Sequence, residues 1–280
     1  VGDARLFERE PEEAEATAVN WITRVDTEHR PRRRYVLFSG GDDSLVLLHA
    51  ATRLFDFDGV VHVNTGTGIP ETTAFVHRMC DRWNLVLHEL HPPESFEQVF
   101  IEEPIINGLP GPGMHHIAYS RLKERALRAF VQREKERWRD RIMFVTGIRA
   151  DESEKRMGYG DSVIDRDGAT VWVNPLYDWY DDEMRSYRER SELPRNPVAE
   201  HLHLSGECLC GSFAKPGELA QIEFFYPDVA ARIRGWERLA EARGLTYCRW
   251  GNKRPDGTAT AVPKLCKDCP TRLFDPEETS

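Results

Sequence analysis

The 280-residue chain carries 38 Lys and Arg against 47 Asp and Glu, for a net charge of −9, with 40% hydrophobic and 30% charged residues. That balance describes one large globular domain, or a domain with a smaller appendage, and argues against nucleic-acid binding through the overall field. No apolar run approaches the ~20 residues a membrane span needs.

The opening Val1-Gly2-Asp3-Ala4-Arg5 has no signal-peptide pattern, so a cytoplasmic location and no membrane partner are expected. Local basic clusters do exist, at Arg32–Arg34 and over Arg121–Arg141. Six cysteines in a chain of this kind suggest metal or sulfur chemistry before disulfides.

Residues 1–30 begin acidic and turn helical, with Ala18, Val19, Ile22 and Val25 on one face, and Pro31 ends that helix. Tyr35 to Phe38 reads as a buried strand. Ser39-Gly40-Gly41 then turns into a helix whose apolar residues recur at Leu45, Leu48 and Ala51. After a turn at Asp56–Gly59 come a second strand (60–64), a loop (65–72), a helix carrying Phe75, Val76, Met79, Cys80 and Trp83, and a third strand over Leu85–Leu90.

Five prolines make residues 92–116 a long loop. A helix of roughly five turns is expected near 117–138, then a fourth strand over Arg141–Ile148. Residues 151–169 are polar and Gly-rich. The short apolar run Val171–Val173 leads to a helix over Asp181–Leu193. Strands alternating with helices imply an open parallel α/β sheet, Rossmann-like, with helices on both faces and ligands at the carboxyl ends of the strands. The pattern breaks near residue 197. Residues 1–197 are therefore taken as the α/β domain. Residues 198–280, with a helix over 216–243, form a small cysteine-bearing C-terminal module.

The strand, glycine turn and helix start at 35–49 form an anion pocket by their own physics. First-turn N–H groups lack intrahelical partners, the macrodipole is positive there, and Gly40 and Gly41 admit close backbone approach. Ser39, Asp42, Asp43 and Ser44 complete the turn. The next strand ends carry Asn64-Thr65-Gly66 and Gly147-Ile148-Arg149. Arg149, Arg156 and Lys123 are candidate cations for phosphate, and Asp43 is either a Mg²⁺ ligand or a helix cap. His115-His116 reads as a loop contact to substrate or as plain surface.

Cys208-x-Cys210 and Cys266-x-x-Cys269, separated by a helix, have the form of a four-thiolate site for zinc or an iron–sulfur cluster. His201 and His203 lie close by in sequence as substitute ligands. Cys80 and Cys248 read as packing residues, the latter with a persulfide-carrying role as the alternative. Trp172, Trp179 and Trp236 read as core aromatics.

The succession Ser39-Gly-Gly-x-Asp43-Ser44, Asn64-Thr-Gly…Pro70-Glu-Thr72, Thr146-Gly-Ile-Arg149-Ala-Asp-Glu-Ser153 and Asn174-Pro-Leu-Tyr-Asp178-Trp179 resembles the PAPS reductase-like branch of the PP-loop ATP pyrophosphatase superfamily over residues 35–195. The resemblance implies ATP and Mg²⁺ as ligands. Ser39, Asp43, Ser44, Arg149 and Lys123 would be catalytic, and Gly40, Gly41, Asp42, Asn64, Thr65, Gly66, Gly147 and Arg156 would bind nucleotide beside them.

Three features depart from that branch. Asn64 stands where the family usually has Asp. No Cys pair precedes the central helix. The reductase tail, of Glu-Cys-Gly-Leu/Ile-His type, does not appear in Phe274–Ser280. The departures turn the expectation toward the DndC/SspD-type ATP pyrophosphatases of bacterial DNA phosphorothioation. Those proteins cleave ATP to AMP and pyrophosphate and work with a cysteine desulfurase, further phosphorothioation subunits and DNA. This likeness also tilts the four-cysteine site toward a 4Fe–4S cluster. A sulfonucleotide reductase, a tRNA-thiolating enzyme and a non-catalytic nucleotide-binding subunit are the alternatives, and a homodimer is an open arrangement.

Overall fold

The computed structural model describes residue 9, residues 11–150 and residues 163–252; Arg156, Cys266 and Cys269 lie outside them. Helix α1 (Pro11–His29) buries Ala14, Ala18, Ile22 and Val25, spaced so that one stripe faces inward. Val19 is only partly covered.

Strands β1 (Arg33–Leu37), β2 (Gly59–Val63), β3 (Leu87–Leu90), β4 (Ile142–Val145), β5 (Ile164–Asp167) and β6 (Thr170–Val173) form one sheet in the order β3-β2-β1-β4-β6-β5. β1 runs parallel to β2 and β4, and β4 parallel to β6. All four residues of β4 are buried, as expected of a central parallel strand covered on both faces. The open α/β architecture anticipated from the alternation is therefore present.

Several boundaries differ from the sequence expectation, each for a local reason. β3 begins two residues later than expected and ends where expected, at Leu90, and β4 is shorter at both ends. The polar run before residue 169 contains an edge strand: β5 pairs antiparallel with β6 through a tight turn at Gly168 (φ +57°) and Ala169. Its Asp-Arg-Asp composition hid it, since an edge strand needs no apolar pattern on its open side.

The helix expected to reach residue 138 comprises α4 (His115–Tyr119), a π-helical turn (Ser120–Glu124) and α5 (Arg125–Glu134). The Asp140 carboxylate accepts from the Glu136 and Arg137 N–H groups at 2.9 and 2.8 Å, an alternative to the helical ladder. The helix expected over 216–243 is divided at Tyr226–Pro227, where proline has no N–H to donate. After α6 (Asp181–Arg190) and α7 (Pro197–Leu202) come α8 (Glu218–Phe225) and α9 (Pro227–Ala242).

The chain divides into two compact units. The first comprises residues 1–62, 76–89 and 129–195 and holds most of the sheet. The second comprises residues 63–75, 90–128 and 196–280. Phe96, Phe100, Leu122, Ile222, Ile233 and Trp236 belong to the core of the second unit. No helix among the described residues is long and apolar enough to cross a membrane.

Candidate nucleotide and thiol sites

In the first unit, β1 ends at Leu37 and α2 (Asp42–Leu54) begins five residues later. Gly40 has φ +80°, a left-handed conformation that costs an L side chain energy and glycine nothing. Gly41 is the N-cap and its carbonyl accepts the first ladder bond, from Leu45 N–H at 2.9 Å. The N–H groups of Asp42, Asp43 and Ser44 thus precede the ladder, at the positive end of the helix dipole.

The two hydroxyls close the turn. Ser44 Oγ donates to Gly41 O at 2.9 Å, which commits its proton, so Ser39 is the donor in the 3.0 Å contact between the two serines. Gly147 abuts this turn: a Cβ placed on it would stand 3.2 Å from the Asp43 carbonyl and the Ser44 nitrogen. Ser39, Gly40, Gly41, Ser44 and Gly147 therefore lie together in one elbow of the first unit.

Asp43 is not the cap. Its carboxylate accepts from Arg149 Nε at 2.9 Å, and Arg149 also reaches Asp181 at 2.7 Å. Burial works against the Arg149 charge, but Asp43 and Asp181 outweigh it and hold the guanidinium above its ordinary pKa.

Two cations escaped the sequence reading. Arg188 on α6 and Arg195 beyond it meet the Asp42 carboxylate at 2.5 and 3.1 Å. Only the fold brings them to the elbow. Their one signal in sequence was a run of arginines after an acidic helix start.

The second unit holds a separate cluster. Asn64 Oδ1 accepts from Gly66 N–H at 3.0 Å, a local turn that follows β2. Thr65 and Thr67 are buried, with their hydroxyls 2.9 Å apart. Thr67 also accepts from Leu209 N–H at 3.1 Å and donates to the Cys208 sulfur at 3.5 Å. Arg232 secures this loop by donating to the carbonyls of Thr67 and Gly68 at 2.7 and 2.6 Å.

Lys123, from the π-helical turn, pairs with Glu207 at 2.7 Å. Burial pushes its pKa down, but Glu207 and the Cys208 thiolate outweigh that and hold the ammonium charged. Lys123 thus belongs to the thiol cluster of the second unit. The neighbouring Cys210 side chain, with Lys123 and Thr67, draws the Cys208 thiol down to about 6 against the opposing effect of burial, while the Cys210 thiol donates to Ser212 Oγ at 3.3 Å. The neighbouring Cys208, and burial, raise the pKa of Cys210 itself.

The His115 ring packs at a tilt of 41° against Phe213, with centroids 4.3 Å apart. His201 bonds the Tyr226 hydroxyl at 2.9 Å and stacks on Phe225. Cys80 is buried, which pushes its thiol up to about 12, and Cys248 packs against the second core, both as expected of packing residues. Trp179 and Trp236 are buried.

Cys208 and Cys210 present two sulfurs to each other, one in the thiolate form that metal ligation requires. They fit half of a four-thiolate site; the remaining half, Cys266 and Cys269, lies outside the described residues. No group of three or more metal-ligating side chains is assembled among the described residues.

A mostly parallel α/β sheet with a glycine elbow between a central strand and a helix is an arrangement suited to holding an anion at the carboxyl edge of the sheet. The phosphoadenosine phosphosulfate reductase domain matches residues 33–205, and the chain belongs to that family, which is one of enzymes. It is 28% identical over 184 residues to a phosphoadenosine 5'-phosphosulfate reductase of Thiocapsa roseopersicina, covering 64% of this chain and 71% of that protein. It is 25% identical over 160 residues to an adenosine 5'-phosphosulfate reductase of Rhizobium tropici, covering 56% of this chain and 84% of that protein. Among solved structures, the phosphoadenylyl-sulfate reductase of Candida auris in a phosphate complex superposes with a TM-score of 0.48 at 15% identity, covering 71% of this chain and 94% of that one.

Proposed function

We propose that the chain is a sulfonucleotide enzyme of reductase type, with an elbow in the first unit that suits the anionic end of an adenosine phosphosulfate and a thiol in the second, Cys208, that accepts a sulfuryl group. The observation that carries this reading is the Cys208 thiol, held as a thiolate by Lys123, Cys210 and Thr67 in a chain of the phosphosulfate reductase family. The elbow supports the substrate class. Backbone N–H groups ahead of the α2 ladder, and the arginines gathered on Asp42 and Asp43, suit the anionic phosphosulfate.

In the first step the Cys208 sulfur attacks the sulfate sulfur. The bond from that sulfur to the bridging oxygen breaks, the nucleoside phosphate leaves with the electron pair, and Cys208 becomes an S-sulfonate. A second thiolate then attacks the Cys208 sulfur, sulfite leaves, and a disulfide forms. Cys210 is the neighbouring thiol for that role, and an external dithiol returns the pair to the reduced state.

The test is sulfite release from adenosine 5'-phosphosulfate and from its 3'-phosphorylated form, with a dithiol supplied. Release that is lost in Cys208→Ser and kept in Cys80→Ser supports the reading. No release from either nucleotide rejects it.

The second pair, Cys266 and Cys269, favours one other reading, in which all four cysteines are ligands. An iron–sulfur cluster there would supply a sulfur- or electron-handling centre, and zinc a structural tie. Cys208 would then not be a free nucleophile. The elbow would hold ATP with Mg²⁺ for cleavage to AMP and pyrophosphate, with sulfur arriving from a cysteine desulfurase for transfer to DNA or tRNA. Iron and zinc counts on anaerobically purified protein, together with pyrophosphate release, separate the two readings. Nucleotide binding with neither turnover would mark a non-catalytic subunit.

A further inference from the structure

The basic residues of 30–34 and 133–141 play no part in either site, and in the first unit they come together. β1 and β4 are neighbouring parallel strands with Arg33 opposite Ile142, so the segments leading into them meet at the amino edge of the sheet. Arg32 N–H donates to Arg141 O at 2.8 Å, and the Arg32 side chain pairs with Glu136. The glycine elbow lies at the opposite, carboxyl end of β1, roughly 16 Å away by the rise of a five-residue strand.

Residues 30–34 and 133–141 hold nine Lys and Arg against three carboxylates, a local net of +6 in a chain of net −9. Asp58 and Asp26 neutralise Arg33 and Arg34, which still leaves an excess of four positive charges. Arg30, Lys135 and Arg139 form no ion pair with a carboxylate among the described residues, and Arg137 meets Asp140 only through its backbone N–H and at longer range.

Trp138 stands in the middle of this patch and is 79% exposed, the most exposed of the large hydrophobic side chains described. The Arg139 guanidinium lies 4.6 Å from its ring centroid. A tryptophan held out of the core among unpaired cations is costly for solubility and has no packing role. A flat π surface flanked by phosphate-seeking charges matches what a single-stranded nucleic acid offers: stacking bases on a polyanionic backbone.

We propose that this amino-edge face binds single-stranded nucleic acid, with a base stacked on Trp138 and backbone phosphates on Lys135, Arg137 and Arg139. The local charge overcomes the unfavourable net charge because screening confines each exposed charge to about 10 Å in 0.1 M salt. Nothing in this inference depends on which nucleotide the elbow holds.

The test is fluorescence anisotropy of a labelled 20-nucleotide oligothymidylate with the full chain, titrated at several salt concentrations. Duplex DNA of the same length and anionic phospholipid vesicles serve as separate arms. Binding to the single strand is expected to weaken roughly tenfold in Trp138→Ala, as for a lost base stack. In Arg137→Ala/Arg139→Ala the slope of log K against log salt should shrink by about 1 to 2, as phosphate contacts are lost. These side chains are exposed, and an unchanged circular dichroism spectrum and nucleotide affinity would show that the variants are folded. The proposal is overturned if the wild type binds the oligonucleotide no better than the double variant, if Trp138→Ala binds as well as wild type, or if only vesicles or duplex are bound.

Discussion

Arg149 and Asp43 are 106 residues apart in the chain and join at 2.9 Å, tying the end of β4 to the first turn of α2. Arg149 is almost fully buried, and its second carboxylate, Asp181, is largely exposed. Removing the guanidinium leaves Asp43 charged and without its principal cation. Arg149→Met is expected to cost about 3 kcal/mol, in the range for breaking one side of a buried pair. Asp43→Asn should cost less, since Asp181 remains as a counter-ion. The check is urea denaturation: the midpoint should fall while the slope stays constant. A loss smaller than about 0.5 kcal/mol, the scale of an ordinary surface substitution, would show that this pair does not hold the elbow.

Arg188 and Arg195 both rest on Asp42, one step from the backbone N–H groups that open α2. An arriving phosphate or sulfate competes with that carboxylate for the two guanidinium groups. Arg188→Ala/Arg195→Ala should weaken binding of phosphate-bearing adenine nucleotides by roughly 10- to 100-fold, the value of one or two charge-assisted hydrogen bonds. Adenosine, which carries no such charge, should bind as before. Calorimetric titration of adenosine, AMP and ADP reads the difference directly, and equal losses for all three would assign the arginines to scaffold alone.

Cys208 should announce itself by pH. Its thiol titrates at about 6, drawn down first by the neighbouring Cys210 and then by Lys123 and Thr67, so the nucleophilic thiolate is present above that value and lost below it. In metal-free, reduced protein, the iodoacetamide rate at Cys208 should be flat above about pH 7 and fall tenfold per unit at pH well below 6. Lys123→Met should move the midpoint upward. Cys80, pushed up to about 12 by burial, should stay silent throughout. Peptide mapping after alkylation separates the sites, and a Cys208 midpoint at the usual thiol value would remove the basis for its role as nucleophile.

The elbow was legible because its requirements are local: a buried strand, a glycine in a left-handed conformation and a helix start lie within ten residues. Gly147 and Arg149 were legible for a related reason, since polar residues that end a parallel strand gather at one edge. Arg188 and Arg195 were not, because a surface arginine in sequence does not reveal that a fold will bring it to Asp42. The contact of Lys123 with Glu207 was not legible, because the π-helical turn that carries it there leaves no mark in the hydrophobic pattern. The Thr67 contact with Cys208 spans 141 positions, and only the folded second unit discloses it. Trp138 was counted into a helix that Asp140 ends early, so its exposure was hidden.

Two glycines should respond to the same substitution with opposite signs. At Gly147 an added Cβ meets the Asp43 carbonyl and Ser44 nitrogen at 3.2 Å, and these are backbone atoms that cannot swing aside. Gly147→Ala is therefore expected to destabilise by about 1 to 3 kcal/mol, as overpacking does, and to weaken nucleotide binding because the elbow itself must shift. Gly235 lies inside α9, and the nearest atom to its added Cβ is an Arg238 nitrogen at 3.9 Å. Gly235→Ala should stabilise by about 0.5 to 1 kcal/mol, through higher helix propensity and a less disordered unfolded chain, with nucleotide affinity unchanged. Denaturation midpoints and nucleotide titrations on the two variants give four readings. A Gly147→Ala protein as stable and as tightly binding as wild type would mean that β4 does not support the α2 start as closely as the 3.2 Å approach requires.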